Sequence, residues 1–225
     1  GTATMTSTEA ESSGALVIEA KNAAKAYGER RIVDDLSIRV MRGDRLGIVG
    51  ANGAGKTTLI NLLTGQSAPD SGTVALGTNL KMMLLDQARA VLEPTMTVTE
   101  VLTGGSGDSV NVGGVSRHVI GYLKDFLFAP EQARTPVSVL SGGERNRVHL
   151  ARTLKGGANV LLLDEPTNDL DMETLRALEE ALEDYAGCAV IISHDRWFLN
   201  RIATHILAFE GDSHVEWFEG NYASY

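Results

Sequence analysis

RLGIVGANGAGKTTLINLLTG, residues 45–65, decides how the rest of the chain is read. A short apolar run, RLGIV, breaks at Gly50, and a run of helical composition opens at Gly55-Lys56-Thr57 and stops at Gly65. The segment 50–58 fits G-x-x-x-x-G-K-[ST] in the strand–loop–helix context that a phosphate-binding loop requires. Gly53 and Gly55 are expected to let the backbone curl, so that amides along Gly50, Ala51, Asn52, Gly53, Ala54 and Gly55 point inward. Lys56 supplies a positive charge for the β- and γ-phosphates, the Thr57 hydroxyl can ligate Mg²⁺ with Thr58 beside it, and the helix N-terminus adds its dipole. The bland alternative is a fortuitous glycine-rich turn.

Further along, VLLLDE (160–165) is an apolar strand ending in two acids. An interior strand expels an acid unless it meets a cation. Asp164 therefore suits the Mg²⁺ shell, and Glu165 can face a water as general base. Three weaker candidates lie in similar places. Gln87, after LKMMLLD, can accept from Mg²⁺-bound water or contact the γ-phosphate region; alternatively it is an ordinary polar loop residue. His194, in IISHDRWF, is either a hydrogen-bonded structural histidine or a phosphate contact. Tyr27 either stacks on a purine or belongs to the core.

LSGGERNR (140–147) sets two glycines before a helix, which exposes backbone amides to something anionic. After it, residues 141–155 carry Arg145, Arg147, Arg152 and Lys155 against Glu144 alone, whereas residues 159–187 hold nine acids and one arginine. A local basic face and a solvated helix surface both fit, while the net charge of −9 argues against a wholly basic nucleic-acid binder. Asp169 and Asp171 are candidate helix caps before METL.

Strand-like runs (ALVIEA, RIVDDLSIRV, SGTVAL, CAVIIS) alternate with helical ones, which implies a mainly parallel sheet covered on both faces. Residues 97–135 read as mostly helical with a Gly/Ser break at 104–114, and a stripe of Leu175, Leu178, Leu182 and Tyr185 gives the helix after 171 an inner face. HILAFEG-DS-HVEWFEG reads as a closing hairpin. Residues 1–14 are small, polar and aperiodic, as in an expression scar or disordered lead-in. No run approaches the ~20 apolar residues of a membrane span. The one cysteine, Cys188, sits in an apolar run as a core thiol, which fits a reducing compartment.

Taken in order, Tyr27, GANGAGKTT, Gln87, LSGGE, LLLDE, NDLD (168–171) and His194 resemble the ATP-binding cassette family over residues 16–210. That resemblance implies an α/β P-loop NTPase domain with a mainly parallel central sheet, an antiparallel β subdomain and a helical signature subdomain near residues 95–155, all within one domain, 15–225. It implies ATP and Mg²⁺ as ligands, with Lys56, Glu165 and His194 catalytic, Glu165 as base and His194 as a γ-phosphate contact. Tyr27, residues 50–58 and Gln87 would hold the nucleotide, and Thr57, Gln87 and Asp164 the metal. In cassettes the signature tip caps a nucleotide held by a second cassette, so Ser141, Gly142, Gly143 and Glu144 would face the ATP of a partner, supplied by the same full-length chain or by a homodimer. The NDLD acids would then lie at the seam, a role compatible with capping.

DEPTNDLD (164–171) and SHDRWFL (193–199) are similar to the ABC-F branch, whose members are cytoplasmic and act on the ribosome, with its rRNA and tRNA, in translation. Glu144, where transporter cassettes commonly carry Gln, fits that branch. Two cassettes and a long helical linker are its pattern; this sequence carries one cassette, as an excised second half would. The alternatives are the nucleotide-binding motor of a membrane transporter and a module that binds ATP as a structural ligand only.

Overall fold

The computed structural model describes residues 15–50, 53–85 and 91–209, with the backbone alone of 215–219 and of residue 54. The lead-in at 1–14, Ala51, Asn52 and Gln87 lie outside the described residues. The chain divides into two compact units: residues 1–80 with 187–225, and residues 81–186.

In the first unit, β1 (Leu16–Tyr27) and β2 (Arg30–Met41) form a long antiparallel pair, and β4 (Ser71–Leu76) joins β1 on its other side. The sequence runs ALVIEA and RIVDDLSIRV predict shorter strands; irregular register at Ala20/Ala23 and Ala23/Lys25 is absorbed by bulges, so pairing continues to Tyr27. A second sheet has the order β11-β10-β3-β9, from β11 (Val215–Glu219), β10 (His205–Phe209), β3 (Arg45–Val49) and β9 (Cys188–Ile192). β10, β3 and β9 are parallel, and β11 is an antiparallel edge, as the expected closing hairpin requires.

Both faces of these parallel strands are covered. All five residues of β9 are buried, as are four of the five in β3. Helix α1 (Gly53–Leu63) contributes Leu59, Leu62 and Leu63, each at most 3% exposed. Burying each such side chain stabilises the unit by ~1.5–3 kcal/mol. At Gly47 an added Cβ would come within 2.9 Å of the Ile206 side-chain methyl, so β3 packs closely on its neighbours and a larger residue would make Ile206 shift.

The second unit contains a parallel pair, β5 (Met82–Leu85) and β8 (Val160–Asp164), and a helical region. That region holds α2 (Val98–Thr103), α3 (Val119–Asp125), two 3₁₀ turns at Pro130–Arg134 and Val137–Val139, and α4 (Gly142–Lys155). Of the Gly/Ser break expected at 104–114, residues 104–108 are irregular as read, but from 109 the chain forms a hairpin, β6 (Ser109–Val112) with β7 (Val115–His118). Gly113 and Gly114, both at positive φ, form the two-residue turn that matches strand twist. After β8, α5 (Met172–Asp184) buries Thr174, Ala177, Leu178 and Leu182. Leu175 is only half-buried, and Tyr185 lies past the helix end, its hydroxyl donating to the Ala158 carbonyl. The inner face is thus centred one position away from the apolar stripe of the sequence. Among the described residues no helix is long and apolar enough to cross a membrane.

Candidate functional site

In the first unit the site begins where β3 ends. Gly50 takes φ +82°, and an added Cβ would sit 2.3 Å from the Phe209 carbonyl oxygen, so both conformation and space demand glycine. Gly53 takes φ +48° and opens α1. Gly55, expected to share the curl, has no positive φ, and a Cβ there would meet only Ile32 methyls, the nearer at 3.8 Å. Among the described residues of the loop, positive φ is confined to Gly50 and Gly53. Lys56 is half-buried, Thr57 is exposed with its hydroxyl 3.5 Å from the Gly53 carbonyl, and Thr58 faces inward at 8% exposure. The first turn of α1 carries no acid. The leading amides of a helix have no acceptor within it, which makes the start of α1 suited to an anion.

β9 lies parallel to β3 with Ile48 opposite Ile192, so the two strands end on the same edge of the sheet. That carboxyl-end edge is where ligands bind in open α/β sheets. β9 is followed there by Ser193, buried and donating its amide to the Ile48 carbonyl at 3.3 Å, and by exposed His194. The turn is fixed from its far side. Asp195 donates its amide to Ser193 Oγ at 2.9 Å, and its carboxylate caps α6 (Arg196–Ile202) by accepting from the Phe198 amide. Tyr27 is 63% exposed, which removes the core reading.

In the second unit β8 delivers Asp164, half-buried, and then Glu165. Glu165 sits at φ +47° and Asp169 at φ +58°, left-handed conformations that cost a non-glycine residue about 1 kcal/mol each or more. Gln87 would follow β5, outside the described residues.

Ser141 caps α4 reciprocally. Its hydroxyl accepts from the Glu144 amide at 3.1 Å, and Glu144 Oε1 accepts from the Ser141 amide at 3.0 Å. Gln132 Nε2 donates to the other Glu144 oxygen at 2.7 Å. The Ser141 amide, then the desolvation that opposes it, lead the balance that holds the Glu144 carboxyl below its ordinary value. Both oxygens of the Glu144 carboxylate thus accept hydrogen bonds within the second unit. The two signature glycines differ. A Cβ at Gly143 would lie 2.8 Å from Asp171 Oδ1, whereas one at Gly142 would meet nothing within 4 Å, at no positive φ. Asp171 caps α5, accepting from the Thr174 amide at 3.3 Å, as read from the sequence.

Sequence reasoning missed Arg147. Counted there with a surface basic run, it is 6% exposed. The signal was available, because position 147 falls on the face of α4 that carries buried Leu150 and Ala151, three and four residues on.

A family model described as ABC transporter matches residues 33–168. The ATP-binding protein Uup of Caulobacter vibrioides is 52% identical over 215 residues, covering 96% of this chain and 35% of that protein. The energy-dependent translational throttle protein EttA of Escherichia coli K12 is 50% identical over 212 residues, 94% of this chain and 38% of that protein. The chain thus spans little more than a third of the curated relatives it matches. Among solved structures, cbiO1 of Clostridium perfringens, part of the ABC transporter complex cbiONQ, superposes with a TM-score of 0.68 at 20% identity, over 93% of this chain and 90% of that one. That likeness speaks for the fold alone.

Proposed function

The chain belongs to the ABC transporter family of ATP-binding domains, and from that premise we propose that it is the ATP-hydrolysing cassette of an ABC-F protein, a cytoplasmic switch that acts on the ribosome and its RNA in translation. Half-identity to Uup and EttA supports that branch, and the role of EttA as an energy-dependent translational throttle supports the process.

The observation that carries the reading is the loop after β3: two glycines in left-handed geometry, an acid-free helix start, and Lys56 with Thr57 beside it. In this reading the loop amides and Lys56 hold the β- and γ-phosphates, and the exposed Tyr27 ring stacks on the adenine. Among the described residues no group of three or more His, Cys, Asp or Glu is placed to hold a metal. Mg²⁺ asks for less, one or two protein oxygens completed by phosphate and water; the Thr57 hydroxyl is one such oxygen, and the Asp164 carboxylate is the second group proposed for the ion. The ion would neutralise charge on the phosphates. Glu165 accepts the proton of the attacking water, and His194 orients the γ-phosphate end.

Ser141, Gly142 and Gly143 seal the nucleotide of a facing cassette. Gly142 supports this role: its own chain leaves open space around it and asks no special backbone of it, as suits a surface approached closely from outside.

The test uses the product of the native gene with Glu165→Gln, incubated with Mg-ATP and sedimented with ribosomes and with membranes. ATP-dependent retention on ribosomes is expected. Partition with membranes, or sedimentation indifferent to ATP, contradicts the reading.

A further inference from the structure

Within the second unit, one buried cation joins the signature helix to the segment that follows Glu165. The Arg147 guanidinium lies over the Phe128 ring, 5.4 Å from its centre. Its Nη1 is 3.5 Å from Thr174 Oγ1, 3.7 Å from Asp171 Oδ2 and 3.8 Å from Glu173 Oε2. Its Nε is buried with no hydrogen-bond partner among the described residues. Thr174 is fully buried. Its hydroxyl has one proton, which goes to the close Asp171 Oδ1, and the Gly143 carbonyl stands off at 3.4 Å.

Asp171 Oδ1 in turn fills the space that a side chain at 143 would need. The contacts therefore run without a gap from Arg147 through Thr174 and Asp171 to Gly143. A desolvated cation is costly unless carboxylates face it, so Arg147 requires the start of α5 to stay where it is. Asp171, held there, sets how near the Gly143 backbone can come.

We propose that Arg147 is a positioning residue: it locks the Ser141–Gly143 tip to the Asp169–Asp171 segment, so that the tip offered to a facing cassette and the segment leaving the Glu165 turn move as one body. Its consequence for catalysis rests on the proposed function; the lock itself does not. A lysine is a poor replacement here, because a compact, strongly hydrated ammonium cannot lie over Phe128 and reach the start of α5 at once, as the longer guanidinium does.

The test is amide hydrogen exchange on the chain, with nucleotide titration of the same samples. Arg147→Met should raise exchange about fivefold or more in peptides 141–147 and 171–178, with less than about twofold change in 119–125 and 160–164. Arg147→Lys, which keeps the charge and most of the bulk, should loosen the same two peptides while leaving the thermal midpoint near that of the parent. A purely structural role for the charge predicts that lysine restores both. Asp171→Asn, on an exposed residue at the other end of the lock, should reproduce the pattern, and the double variant should exceed neither single one. A uniform rise across 81–186, rescue by lysine at the tip, or additive effects would overturn the lock. ATP affinity should stay unchanged throughout. A parent chain that does not bind ATP refutes the proposed function instead, and the exchange data still decide the lock.

Discussion

The Asp171 carboxylate stands where a side chain of residue 143 would have to be, 2.8 Å from an ideal Cβ on Gly143. The glycine pair of the signature therefore answers two different demands: Gly143 makes room for its own chain, and Gly142 does not.

Stability should separate the two. Gly143→Ala forces Asp171 off its cap and should cost about 1–3 kcal/mol in urea unfolding. Gly142→Ala meets nothing within 4 Å and should be neutral or slightly stabilising, because it occupies the first helical position with ordinary φ. Equal losses at both positions would contradict the assignment.

Lys56→Ala removes the only side-chain cation of the phosphate loop. A hydrogen bond to a charged group is worth ~1.5–3 kcal/mol, so nucleotide affinity should fall about 10–100-fold in a fluorescent-nucleotide titration. Undiminished affinity would show that the loop is not the phosphate site.

Glu165→Gln keeps the shape of the strained turn and removes the base. Turnover should fall ~10²–10⁴-fold with ATP affinity preserved. Turnover close to that of the parent, measured with a second cassette present, would move the base elsewhere.

Two capping carboxylates should make the second unit acid-sensitive. The Asp171 carboxyl is held below its ordinary 3.8, chiefly by the Thr174 hydroxyl, and that of Glu144 below its ordinary 4.5, chiefly by the Ser141 amide. A carboxyl with a depressed value in the folded state stabilises above its unfolded value, and that contribution is lost as pH falls through the folded one. Stability should therefore decline from about pH 5 downward, and Glu144→Gln should flatten the decline. Unfolding curves at stepped pH check this; an unaltered slope counts against the cap.

The Cys188 thiol is pushed up to about 12 by burial. It should resist maleimide at neutral pH in the folded chain and react in urea. Rapid labelling of the native chain would contradict its place in β9.

The elements read most directly from the sequence were those whose residues carry a local reason. Gly50 and Lys56 mark strand, loop and helix within a few residues, and Asp171 before METL marks a cap. The hairpin at 109–118 was misread because its strands are four residues each, too short for alternation to outweigh the helical runs beside it. The dipeptide Gly113-Gly114 between valines was nevertheless a turn signal. The role of Glu144 and the burial of Arg147 depend on Gln132, Phe128 and Thr174, which lie 12, 19 and 27 positions away in the chain. No local pattern announces such partners, and a charged residue by itself reads as surface. The units of the chain bring these residues together only after folding.

The central claim is that a triphosphate gripped by the loop of one copy is capped by the glycine tip of another. The most direct measurement is ATP-dependent association of the Glu165→Gln chain by sedimentation velocity, compared with the same chain carrying Gly142→Asp. The account predicts that ATP drives the first into pairs, and that the second binds ATP equally well as a single chain yet fails to pair. Equal pairing by the tip variant would contradict it.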